Sequence, residues 1–208
     1  MGSIMPGFRP KLILVLELNK SHQQMMRDHL LSLGESDRQL RFGMHASDDF
    51  INRYVDQFNF ERDSFFGVID STLRIIGLAH LAYSKNPTES HTAEFGVSVS
   101  ESGRGFGVGT ALFKRSAIHA RNTHIRILYV HCLSTNAAMM HIARKAGMEV
   151  EYSYGEADAY LTLPPGDQRT VILEAMQDQS AMIDYTMKQK FNRAVLTGKS
   201  MLANSINP

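Results

Sequence analysis

The chain has 208 residues, 22 Lys plus Arg against 21 Asp plus Glu, and 43% hydrophobic residues, which fits one globular domain and excludes intrinsic disorder and a disulfide-stapled miniature fold. The longest apolar run, Leu12 to Leu16, is too short to span a bilayer, and Glu17 follows it without a small-residue cleavage site. The lone Cys132 rules out an intramolecular disulfide and a multi-cysteine metal site, so a soluble, cytoplasmic protein away from membranes is expected.

Along the chain, Leu12 to Leu16 reads as a buried strand. Ser21 to Leu33, closed by Gly34, reads as a helix with Met25, Met26, Leu30 and Leu33 on its apolar side. Gly34 to Ser47 reads as a loop. Ser47 starts another helix, because Asp48 and Asp49 suit the exposed amides and dipole of a first turn; Phe50, Ile51, Tyr54, Val55 and Phe58 make its apolar stripe. Phe65 to Ile69 and Leu73 to Tyr83 form a hairpin about Asp70-Ser-Thr72, and Ser84 to Ser90 is the next loop. Thr92 to Val99 alternates, with Ala93, Phe95, Val97 and Val99 on one side and Thr92, Glu94, Gly96 and Ser98 on the other. A helix to about Asn122, a strand from Ile125 to Leu133 and a helix from Thr135 to the capping Gly147 follow. Tyr152 to Tyr154 and Tyr160 to Leu163 are closing strands. Beyond Pro164-Pro-Gly166, the spacing of Ile172, Met176, Ile183, Met187, Phe191 and Val195 predicts a helix with one apolar stripe, docked on the body or on a second copy in a homodimer. The division is a domain over residues 1–165 and a C-terminal helical extension over 166–208.

Charge is distributed unevenly. Ser102 to Met148 has no Asp or Glu, yet holds Arg104, Lys114, Arg115, Arg121, Arg126, Arg144 and Lys145. The glycine run Arg104-Gly-Phe-Gly-Val-Gly109 opens the same segment, between an alternating strand and a helix. Glycines there let the backbone approach a ligand, and helix-start amides are unpaired donors, so the turn is an anion cradle. The dinucleotide fingerprint fails, since Val108 stands where a third glycine is needed and no acidic residue lies about twenty positions on. Gly198-Lys-Ser200 ends like a Walker loop, but Arg193 stands at its first glycine and too little chain follows for the helix it must feed.

Together these residues resemble the GCN5-related N-acetyltransferases (GNAT). The family's acyl-CoA motif, Arg/Gln-x-x-Gly-x-Gly/Ala, is filled by Arg104, Gly107 and Gly109, after a strand holding Val97 and Val99. Asn136 opens the next helix, and Ala146-Gly-Met148 stands where the family ends it in Gly-Phe. Leu40-Arg-Phe42 and Ala93-Glu-Phe95 look like the subset that includes bacterial protein-lysine acetyltransferases. The resemblance implies an α+β, three-layer fold: a mixed, mostly antiparallel sheet flanked by helices. It implies acetyl-CoA as cosubstrate, with the pyrophosphate on Arg104, Gly105, Gly107, Gly109 and Thr110, the pantetheine arm against Val97 and Val99, and Asn136 on the arm or capping its own helix.

An amine of ordinary pKa near 10.4 is protonated at neutral pH, so attack on a thioester needs a base. Glu94 is the candidate: it shares a face with Gly96 and Ser98, which leave room for substrate, and partial burial would raise its pKa. Many relatives carry a tyrosine acid where this chain has Ala143; water, Tyr152 or Tyr154 could replace it, although buried structural roles suit both tyrosines. Cys132 reads as core packing rather than an acyl carrier. His119, His124, His131 and His141 match no zinc spacing, so no metal is expected. The reading is an N-acetyltransferase moving acetyl from acetyl-CoA to a primary amine, small or a protein lysine, by direct attack. The alternative is a non-catalytic acyl-CoA or small-molecule sensor on the same fold. Nucleic-acid binding is disfavoured because the basic segment lacks interleaved aromatics.

Overall fold

A computed structural model describes residues 12–84, 86 and 91–205. Its seven strands are β1 (Leu16–Leu18), β2 (Ser64–Ile69), β3 (Ile75–Tyr83), β4 (Thr92–Val99), β5 (Ile127–Leu133), β6 (Glu149–Ser153) and β7 (Glu156–Thr162). They form one sheet in the order β1-β2-β3-β4-β5-β7-β6, in which β4 and β5 run parallel and the other neighbours antiparallel. The helices are α1 (Gln23–Leu31), α2 (Glu35–Phe42), α3 (Asp48–Asp56), α4 (Val108–Asn122), α5 (Ala137–Ala146) and α6 (Gln168–Ser205). No helix among the described residues is long and apolar enough to cross a membrane.

The sheet has a core on each face, which makes three layers. On one face Met26 and Leu30 of α1 and Ile51 and Val55 of α3 pack on Phe65, Ile75 and Leu78. On the other, Leu112 and Phe113 of α4 and Met140 and Ala143 of α5 pack on Phe66, Phe95, Leu128 and Val130. Local signals set the helix ends as expected: the Ser47 side chain accepts from Phe50 N, and Gly147 closes α5 at φ 74°.

Three expectations change. The first strand is Leu16–Leu18 rather than Leu12 to Leu16, because β2 pairs with Leu16, Glu17 and Leu18, leaving Leu12 exposed. Residues 35–42, read as loop, are helix α2; none of its residues is buried, so no apolar stripe marked it. The α6 stripe does not dock on the body: Ile172, Met176, Ile183, Met187, Phe191 and Val195 are exposed. The loop expected at 84–90 lies largely outside the described residues.

Charge anchors the first half of α6, and further along Ala181 and Tyr185 join the core on the α1 and α3 side. Buried Arg115 of α4 bonds Glu174 at 2.7 Å and Asp178 at 2.6 Å, reaches Glu17 at 3.3 Å, and stacks on the Phe66 ring. His119 Nδ1 adds a 2.6 Å contact to Glu174. Although burial works against ionisation, hydrogen bonds from His119 and Asn122 and the charge of Arg115 bring the Glu174 carboxyl down to about 2. Glu17, His119 and Glu174 bring ligand-type atoms within 4.8 Å of one another, but the guanidinium already engages both carboxylates.

Candidate active site

β4 is the pivot of the site. It pairs with β3 from Ala93 to Val99, but with β5 only through Thr92, Ala93 and Glu94. Past Glu94 the parallel strands part, and among the described residues no strand pairs with residues 95–99 on that edge. Side-chain alternation alone does not reveal this wedge, since pairing length depends on where β5 runs.

One side of the wedge is a cleft of about 570 Å³. Gly105 and Gly107 in its glycine turn have φ of 77° and 82°, a conformation that favours residues without a Cβ. Gly107 precedes α4 with no side-chain cap, and Ala111 N is the amide that bonds back to Gly107 O, at 3.0 Å. The amides of Val108, Gly109 and Thr110 therefore stand at the open, positive end of α4. Arg104 at the rim pairs with Asp37 of α2. Asn136 caps α5 through Met139 N at 3.0 Å, and its amide donates to Leu40 O of α2 at 3.2 Å. The structure brings all eight expected cofactor contacts, Val97, Val99, Arg104, Gly105, Gly107, Gly109, Thr110 and Asn136, to the wall of this one cleft.

A second cleft, of about 400 Å³, holds Glu94, Glu156 and His131, and shares Leu40, Arg41, Val97, Asn136 and Met139 with the first. Arg41 is thus the charged side chain common to both. Its guanidinium lies over Gly96 so closely that a Cβ there would sit 2.6 Å from Nη2. Arg41 Nη2 donates to the Tyr54 hydroxyl at 3.0 Å, and that hydroxyl meets His80 Nδ1 at 2.9 Å. His80 Nε2 faces Asp63 Oδ2 at 3.3 Å, a charge contact rather than an aligned hydrogen bond. Burial lowers the His80 pKa against the pull of Asp63. Burial opposes ionisation of Asp63 too, but hydrogen bonds from Arg62 and the nearby His80 hold its carboxyl well below the usual range. Across the wedge, Asp158 accepts from Tyr129 at 2.6 Å and contacts His131 Nδ1 at 2.8 Å; that contact raises the His131 pKa.

Glu94 is exposed, so the burial expected to tune it is not present. Tyr152 and Tyr154, expected to be buried, are 61% and 105% exposed and line neither cleft. Ala143 is fully buried in the core. Cys132 belongs to the core cluster, and burial pushes its thiol up. Arg41, Tyr54, His80 and Asp63 were not legible as a group. Tyr54 read as one member of an apolar stripe, and its hydrogen-bond partner His80 is 26 positions away.

The parallel wedge, glycine turn and helix start define an acetyltransferase fold of the GNAT type. Residues 29–148 match the acetyltransferase (GNAT) family, and the chain belongs to that family. Among solved structures, the GNAT domain of S. lividans PAT is similar at 18% identity and TM-score 0.61, over 72% of this chain and 89% of that one. Ribosomal-protein-alanine N-acetyltransferase from Brucella melitensis is similar at 14% identity and TM-score 0.57, over 73% and 100%. Spermidine N-acetyltransferase from Vibrio cholerae, solved with CoA and spermine, is similar at 17% identity and TM-score 0.56, over 72% and 95%. At these identities the likeness is one of fold. Among curated proteins there is no significant match.

Proposed function

We propose that the chain transfers an acetyl group from acetyl-CoA to a primary amine, a small molecule or a lysine side chain, by direct attack in a ternary complex. The observation that carries the reading is the meeting of two clefts at Arg41 and Val97: one ends in unfilled helix-start amides, the other presents carboxylates. The amides of Val108 to Thr110 suit a pyrophosphate, and Arg104 can turn to it by leaving Asp37. The free edge of β4 at Val97 and Val99 suits the amide-bearing pantetheine arm as an added strand, and an amide near Val97 the developing oxyanion. Glu94 and Glu156 suit an ammonium group.

Of the two protons such an ammonium loses, Glu94 takes the first and returns it to water. As the C–N bond forms and the C–S bond breaks, the second goes to the sulfur. With Ala143 unable to donate, the Tyr54 hydroxyl, which faces the cleft, gives its proton to the departing sulfur and takes up in exchange the second proton released by the new amide nitrogen.

Calorimetry with acetyl-CoA and thiol release over a panel of amines and lysine-bearing proteins test the reading. Glu94→Gln should lower turnover about 10²- to 10⁴-fold with acetyl-CoA affinity unchanged, and Tyr54→Phe should lower it with the same split. Failure of acetyl-CoA to bind removes the proposal. Ala143 favours one second reading, a non-catalytic acyl-CoA sensor, which requires binding without thiol release from any amine.

A further inference from the structure

α6 turns Glu174 and Asp178 inward and most of its large apolar side chains outward. At 100° per residue, Glu174, Asp178, Ala181 and Tyr185 share one face. That face meets the body: Arg115 holds the two carboxylates, Ala181 is 2% exposed, and Tyr185 packs on the His22 ring. Ile172, Met176, Ile183 and Met187 fall on the opposite face, and are 59%, 61%, 55% and 66% exposed. Phe191 and Val195 continue the line. A surface helix that completes its own domain shows the reverse arrangement.

The stripe is also self-complementary. About a midpoint between Ile183 and Asp184, Ile172 mirrors Val195, Met176 mirrors Phe191, and Met187 mirrors the small Ser180. Ile183 sits beside the midpoint, where its mirror is Asp184, a carboxylate already paired with Lys188. A two-fold axis across an antiparallel helix pair requires this arrangement, in which each residue meets its mirror on the other copy.

We propose that two copies of this chain pair through α6, antiparallel, about a two-fold axis beside Ile183. The stripe from Ile172 to Val195 is about 36 Å long. Covering it removes roughly 600 Å² or more from each copy, the lower edge of what specific protein interfaces bury. Leu173, also exposed, lies beside the stripe and widens the contact. The pairing does not depend on the catalytic reading.

Sedimentation of the full chain over a concentration series tests it. The expected result is a dimer that Ile183→Glu converts to a monomer with an unchanged circular dichroism spectrum, since the residue is exposed in the single chain. Orientation is read by oxidative cross-linking in a Cys132→Ser background. Met176→Cys chains should join Phe191→Cys chains in a mixture, and neither should join its own kind. A chain that stays monomeric throughout, a dimer that survives Ile183→Glu, or Met176→Cys joining itself would each overturn the proposal.

Discussion

Acid should loosen β4 through one histidine. His29 of α1 is 3% exposed, with Nδ1 at 2.8 Å from Ile75 O and Nε2 at 2.9 Å from Ser98 Oγ. Burial, reinforced by the Arg41 charge and opposed by the two hydrogen bonds, lowers its pKa from 6.5 to about 4. The unfolded chain therefore binds this proton near 6.5 and the folded chain only near 4, so the contribution is complete above 6.5 and is lost as pH falls towards 4. The full difference is about 3 kcal/mol, of which roughly 2 kcal/mol is gone by about pH 5, a large share of a typical domain's stability. Urea unfolding of the native chain and of His29→Gln, at about pH 7.5 and about pH 5, measures it. The variant should be weaker at the higher pH, yet its loss on acidification should be smaller by roughly 2 kcal/mol. His22 and His80, whose pKa values burial also lowers, act in both proteins and cancel. Equal losses in the two proteins would refute the reasoning. Because Ser98 lies between Val97 and Val99, acetyl-CoA affinity should fall over the same pH range.

Arg115→Met leaves Glu17, Glu174 and Asp178 without their shared cation and should cost about 3–5 kcal/mol in denaturant unfolding, with α6 becoming sensitive to proteolysis near Pro164-Pro-Gly166. An unchanged midpoint would remove the ion-pair account of how α6 is held. The same pairs make Glu174 acid-sensitive: their stabilisation is present above its ordinary 4.5 and is lost as pH falls towards about 2. Cys132→Ser should cost about 1 kcal/mol for a hydroxyl placed among core side chains, and should leave thiol release intact. Loss of turnover with acyl-protein trapped on the native chain would instead make the thiol a carrier.

Elements governed by near neighbours were legible in the chain itself. Alternation from Thr92 to Val99 marked β4, Ser47 and Asn136 marked two helix starts, and Gly147 marked a helix end. The glycine turn was legible because its demands, φ of 77° and 82° and an open helix start, are local. What lay beyond the sequence depended on residues far apart. The wedge arises because β5 leaves β4 after Glu94, α2 is placed by contacts such as Asn136 to Leu40 O, and Arg41 meets Tyr54 and His80 only when α2, α3 and β3 come together. The stripe on α6 was visible as a period of apolar residues, but a period states only that a face exists. Which way that face turned was decided by Arg115, whose buried charge drew Glu174 and Asp178 inward and left the apolar side facing out.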